Sequence, residues 1–214
     1  MIARNIEGEI VMGAAIWDTI REATQMSHSR LDGALSKLDL AIPLYYEGFL
    51  RSQAEALFPL EAALEAGGVE SLIPDWTQRI RTPALQRDLA TLNITCNPLP
   101  APDFGSAAEM LGAVYVLEAS RMGARVMLAR LAEHPDSDAM NATAYLRHGF
   151  GKRFWPSFLT LLETHPAAQG DTASVVRGAE IAFGMFEDAL SPMANVVVDF
   201  ARGGKSSSYS PTPG

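Results

Sequence analysis

Apolar positions along this chain recur mostly every three or four residues, and runs that alternate apolar with polar are missing. That pattern predicts helices and gives no clear strand signal. Ile16, Ile20, Ala23, Ser27, Leu31, Ala34 and Leu38 keep helical spacing and predict a first helix. Pro43 suits the first turn of a second, where its missing N–H costs nothing, and Gly67-Gly68 closes it. Shorter helices are expected after Pro74 and Pro83, and the stretch from Asn97 to Pro102 reads as a loop. Ser106, with Glu109 three residues on, opens what should be the longest helix, running to about Glu133 as a capping box would start it. Further helices are expected near 138–148, at about Pro156 to Thr164, and from roughly 171 to 201. The simplest account is one all-α, single-domain fold over residues 13–201. Residues 1–12 are expected to form a flexible N-terminal extension and residues 202–214, rich in serine, a disordered tail.

Composition narrows the function classes. At 214 residues the chain fits one core. A formal net charge of −8 and a pI near 5.0 exclude a general nucleic-acid partner, which would need a basic stripe. Cys96 is the single cysteine, so neither an intrachain disulfide nor a thiolate cluster can form. No apolar run is long enough for a bilayer, and the N-terminus lacks the apolar core of a signal peptide. The expected location is the cytoplasm, with no membrane partner.

Two segments carry candidate chemistry. On a helix, Arg21, Thr24, His28, Asp32 and Leu35 share one face. A neutral imidazole is a good axial ligand for haem iron. Asp32, one turn on, can take a hydrogen bond from it and so fix the tautomer. Arg21, two turns back and roughly 10 Å along the axis, is at the reach of a carboxylate on the same ligand. Taken alone, the spacing is more simply that of an ordinary half-buried histidine with solvated neighbours. The second segment, Ala119, Ser120, Gly123 and Ala124, is a low-relief patch inside a bulky helix. Glycine there costs about 1 kcal/mol relative to alanine, a cost accepted where a flat ligand or another helix comes close.

Other signals are bland. His148 and His165 fall near expected helix ends and read as caps or surface groups. Tyr45, Tyr46 and Phe49 read as the core and surface of one helix. The glutamates do not form the Glu-x-x-His pairs of a di-iron bundle. Neither a phosphate loop nor a Gly-x-Ser-x-Gly elbow is present.

In order and spacing, four segments together resemble bacterial haem oxygenases, and most of all the subgroup that supplies biliverdin to bacteriophytochromes. They are Thr24 to Asp32, Tyr115 to Gly123, Phe154-Trp155-Pro156-Ser157-Phe158, and Val175 to Leu190. The resemblance covers roughly residues 14–192 and implies a haem oxygenase-like helical fold. It implies cleavage of haem with O2 and an external electron donor to biliverdin, CO and ferrous iron, haem being substrate and cofactor at once. His28 would be the proximal ligand, and so the metal contact. Asp32 stands where the family has a glutamate, and Arg21 stands where a basic residue meets a propionate. Ala119, Ser120 and Gly123 would lie on the distal helix over the iron, with Tyr115 one turn before and Arg121 or Arg125 flanking the pocket. Ser120 is the expected anchor of a proton-delivering water network. A ferredoxin or flavoprotein reductase and a bacteriophytochrome are the implied protein partners. The family's Gly-Ser-x-x-Gly-Gly is Ala119-Ser120-Arg121-Met122-Gly123-Ala124 here, and the basic residues expected around Trp155 to Leu159 are absent, leaving Lys152 and Arg153 as substitutes. Those departures define the alternative: a non-catalytic module on the same fold that binds haem, a bilin or a protein. An open pocket at Ala119 favours the enzyme and a filled one the module.

Overall fold

The computed structural model describes residues 3–4, 10–11, 15–135 and 137–201, and for 194–201 the backbone alone. The described residues form a bundle of ten α-helices: α1 (Ile16–Ala23), α2 (Gln25–Leu35), α3 (Pro43–Ala66), α4 (Trp76–Arg79), α5 (Thr82–Thr91), α6 (Ala107–Leu131), α7 (Ala144–Arg147), α8 (Phe154–Thr164), α9 (Pro166–Gly170) and α10 (Thr172–Ala201). A two-residue antiparallel ladder, β1 (Ala3–Arg4) with β2 (Ile10–Val11), is the only strand pairing among the described residues. It falls inside the stretch read as an extension, most of which, like 202–214, lies outside the described residues.

The core is built on α6 and α10, with α3 across α10. At their crossing the two long helices touch backbone to backbone. A Cβ on Gly112 would strike the Val175 carbonyl, and one on Gly178 the Glu109 carbonyl. Glycine is needed at both places because any side chain would push the helices apart. Leu50, Leu57, Leu60, Leu64, Leu111 and Val114 are fully buried around this contact.

Several expectations are corrected. The first predicted helix is two. Thr24 is buried, and its hydroxyl donates to the Ile20 carbonyl at 2.7 Å, a back-bond that bends helices. The break falls there, at φ −97° and ψ 4°. The second piece stops at Leu35, so Leu38, although buried, sits in the following turn. The longest helix is α10, at 30 residues, and α6 has 25. The helix expected near 138–148 is a 3-10 turn, Asp138–Asn141, and the single turn α7. α9, capped by the His165 imidazole, was not expected. Ser106 does cap α6, accepting from the Glu109 N–H at 3.2 Å, but Glu109 reaches back to the Gly105 N–H instead of Ser106's own.

Three helices without a capping side chain of their own are capped from elsewhere. The Glu163 carboxylate of α8 accepts the N–H groups of Ile16 and Trp17 at 3.1 and 2.8 Å. Glu61 of α3 takes those of Arg81 and Thr82 at 2.8 and 2.9 Å. Asp88 of α5 takes those of Ala144 and Tyr145 at 2.9 and 2.7 Å. Each satisfies orphan donors of a helix start while fastening it to a neighbour. Burial raises the Asp88 carboxyl above its ordinary range, against the pull of those two N–H groups.

Candidate functional site

α2 and α6 face one another across a cleft. From α2 come His28, Leu31, Asp32 and Leu35, and from α6 come Val116, Ala119, Ser120, Gly123, Ala124 and Met127. Phe49 and Gln53 of α3, Tyr145 of α7, and Phe183 and Phe186 of α10 complete the wall. Its empty space, open solvent at the mouth included, is about 730 Å3. The groove runs on into a more polar chamber that shares Asp32, Leu35, Gly123 and Met127 and adds Asp39, Arg130 and His134.

α2 is a loosely embedded wall. None of its side chains is fully buried, and Leu31 and Leu35 are its half-buried apolar anchors. A forked ion pair fixes it laterally: Arg30 Nε and Nη2 donate to the two Glu187 oxygens of α10 at 3.1 and 3.0 Å. His28 projects with 59% of its side chain exposed. Its Nδ1 stands 3.1 Å from Asp32 Oδ2, the i, i+4 contact that helical spacing allows. With Nδ1 committed, Nε2 is the nitrogen left for a ligand. Phe183 meets the imidazole edge-on, ring centres 6.2 Å apart.

The opposite wall is cleared of bulk. A Cβ on Gly123 would meet nothing within 4 Å, so that stretch of α6 faces open space rather than a packed helix. The small-residue patch therefore does not serve helix packing at this position. Ala119 lines the cleft with its methyl, and the cleft beside it stays open. The Ser120 hydroxyl donates to the Leu117 carbonyl at 2.8 Å. Its proton is thus spent on the helix, and it can offer other groups its lone pairs only.

Hydrogen-bond donors enter from another side. The Tyr145 hydroxyl donates to Gln53 Oε1 at 2.9 Å, and both residues line the cleft. Behind them Arg81, 2% exposed, contacts that hydroxyl at 3.4 Å, donates to the Leu117 carbonyl at 3.1 Å, and lies over the tyrosine ring. Burial raises the Tyr145 hydroxyl above its usual value, so it stays protonated. Sequence reading missed Gln53, Arg81 and Tyr145, which lie 28 or more positions apart and show no common period.

The remaining expected residues are not brought to the cleft. Arg21 is exposed, pairs with Asp18 at 2.9 Å and stacks on Trp17. Tyr115 is buried against Trp155, ring centres 5.5 Å apart, close enough to Arg21 for that charge to bear on its hydroxyl. Arg125 stacks on Phe150 and, with Lys152 and Arg153, lines a separate recess on the far side of α6. Arg121 turns inward. Its Nε and Nη2 donate to the two Glu118 oxygens, both at 3.0 Å, and Nη1 donates to His148 Nδ1 at 3.0 Å. Among the described residues no group of three metal-ligating side chains forms, and no helix is long and apolar enough to cross a membrane.

No family model matches the chain. It is 28% identical over 150 residues to a haem oxygenase of Xanthomonas campestris pv. campestris, covering 70% of this chain and 90% of that one. It is also 28% identical over 176 residues to the haem oxygenase PigA of Pseudomonas aeruginosa, covering 78% of this chain and 87% of that one. Its structure is similar to the NO- and CO-bound haem oxygenase of Neisseria meningitidis, with a TM-score of 0.62 and 17% identity, covering 86% and 94% of the two chains. The chain therefore has the haem oxygenase fold.

Proposed function

We propose that this protein binds haem between α2 and α6 and degrades it with O2 and an external electron donor to biliverdin, CO and ferrous iron. The relatives at modest identity and the shared fold support haem degradation in general. The observation that carries the reading is the cleft itself. An imidazole with one nitrogen already engaged forms one wall, and opposite it α6 presents the small residues Ala119, Ser120 and Gly123, with open space at Gly123. An imidazole nitrogen left for iron and a low-relief wall facing it are what a flat, iron-bearing tetrapyrrole would use.

In this reading His28 would hold the haem iron through Nε2, and Asp32 would fix its tautomer and raise its basicity. Haem would supply the oxygen chemistry, and the protein supplies orientation and electrostatics. Ala119 and Gly123 set how closely the ligand approaches the α6 backbone. The hydrogen-bond donor assigned toward the ligand is the Gln53 amide N–H, its oxygen held by Tyr145, rather than Ser120, whose hydroxyl proton is bound to Leu117. A ferredoxin or flavoprotein reductase is the class of electron donor, and supply of biliverdin to a bacteriophytochrome rests on the sequence resemblance.

The test is a haemin titration followed by ascorbate or a reductase system, watched by absorbance. A Soret band that appears and then decays into a biliverdin spectrum is the expected result, and His28→Ala should abolish the Soret shift. A stable Soret band without turnover would make the protein a haem-binding module, and no Soret shift would end the haem reading.

A further inference from the structure

The face of α6 turned away from the cleft borders a second recess. At 100° per residue, Val116, Ala119, Ser120, Gly123 and Met127 point toward the α2–α6 cleft, and Arg121, Met122 and Arg125 point the other way. The recess on that far side is closed by the loop from His148 to Arg153 and by Trp155, and it holds about 670 Å3 of empty space with its open mouth included. It shares no lining residue with the cleft.

Its lining is one-sided in charge. Arg121, Arg125, Lys152 and Arg153 border it, and no aspartate or glutamate does, on a chain that carries 25 acidic against 17 basic residues. Arg121 is neutralised from behind by Glu118, but Arg125, Lys152 and Arg153 are exposed, and among the described residues none has a carboxylate within ion-pair distance. Three cations held together without counter-charges repel one another, an arrangement that an anion relieves.

The recess is also built. Gly149 and Gly151 both have positive φ, at 80° and 75°, and a Cβ on Gly149 would crowd the Phe154 ring and Arg121 Nη1 at 3.0 and 3.2 Å. Because a guanidinium cannot accept, His148 Nδ1 must accept from Arg121, so the neutral ring keeps its proton on Nε2 as a further donor. Burial and the nearby Arg121 hold that ring neutral, its pKa pushed down to about 4. Phe150 and Trp155 supply apolar walls.

We propose that this recess binds a small molecule carrying anionic oxygens, carboxylate or phosphate, through Arg125, Lys152 and Arg153, independently of the haem cleft. The aromatic walls favour a planar body between the charges.

The test is calorimetric titration of the full chain at low salt with two probes, benzene-1,3,5-tricarboxylate and inorganic pyrophosphate. Saturable binding of at least one is expected, with Kd of about 1 mM or tighter, weakening as salt is added. Saturation by the tricarboxylate alone assigns a carboxylate ligand, and by pyrophosphate alone a phosphate one. The triple variant Arg125→Gln, Lys152→Gln, Arg153→Gln, all at exposed positions, should weaken binding at least about tenfold, a loss of about 1.4 kcal/mol. His28→Ala should leave anion binding intact, and the triple variant should leave the haemin titration intact. Absence of saturable binding, equal affinity in the triple variant, or loss of haem affinity together with anion affinity would each overturn the proposal. Failure of haem binding alone would leave it standing.

Discussion

His28 and Asp32 stand one turn apart on α2 with the imidazole Nδ1 3.1 Å from the carboxylate, although both side chains are more than half exposed. As a surface contact such a pair contributes little, roughly 0.3–0.5 kcal/mol. It would gain weight only when a ligand covers the ring, because an engaged Nδ1 fixes which nitrogen faces the metal and how basic it is. Asp32→Asn is therefore expected to leave the melting temperature unchanged and to weaken haemin affinity about tenfold, the low end for such partners. Equal haemin affinity in Asp32→Asn and the parent would remove Asp32 from the site.

Gly123 separates stability from function. It lies inside α6 with open space where a Cβ would sit, so Gly123→Ala meets no clash. Alanine in a helix interior is worth up to about 1 kcal/mol over glycine, which for a chain of this length is a rise of roughly 2–4 °C in Tm. The added methyl would project into the cleft and should lower haem affinity or turnover while stability rises. Ala119→Gly should do the reverse, losing a similar increment of stability and widening the cleft. Thermal melts and haemin titrations on the two variants decide it. A fall in Tm for Gly123→Ala would mean that this face of α6 is packed.

Glu118 is 1% exposed and sits between two guanidiniums, its oxygens 3.0 Å from Arg121 Nε and 3.3 Å from Arg79 Nη1. Removing one member of a buried ion pair strands the others, at about 3–5 kcal/mol. Glu118→Gln should cost at least about 3 kcal/mol by urea unfolding, because Arg121 has no other carboxylate partner among the described residues. Replacing the pair together, Glu118→Leu with Arg121→Met, should recover part of that loss, since apolar substitutes avoid stranding a charge. A Glu118→Gln loss below about 1 kcal/mol would show that water reaches the group.

Local signals in the sequence were sufficient for much of the frame. Ser106 starts α6 through its own hydroxyl, Pro43 and Pro83 open α3 and α5, and the small residues of α6 mark the open wall, because each effect acts within one or two turns. The break at Thr24 was hidden, since the hydrophobic period continues through it and only the hydroxyl's bond to Ile20 distinguishes it. The caps from Glu163, Glu61 and Asp88 were hidden too. They join positions between 20 and 147 apart, and nothing in Ala15, Arg81 or Thr143 announces a missing cap that another helix will supply. The same holds for the Gln53 and Tyr145 pair, 92 positions apart, and for Arg121, which reads as a surface arginine until Glu118 and His148 are placed beside it.

His148 gives the protein a pH dependence whose sign is fixed by its surroundings. Burial first, then the charge of Arg121, with Arg81 and Arg87 adding to it, lowers the imidazole to about 4 from an ordinary 6.5. The unfolded chain takes up a proton as pH falls through about 6.5, and the folded chain does so only near 4. Between those values the unfolded state binds more protons, so the contribution of His148 to stability is present above pH 6.5 and is lost on acidification toward 4. The ring is half-exposed, which moderates the size but not the direction. His148→Gln, whose side-chain oxygen can still accept from Arg121, should flatten the slope of the urea midpoint between pH 7 and pH 4.5. An unchanged slope would show that other groups carry the acid sensitivity. A slope of opposite sign attributable to His148 would mean that the ring is charged in the folded state and that its partner is a carboxylate rather than Arg121.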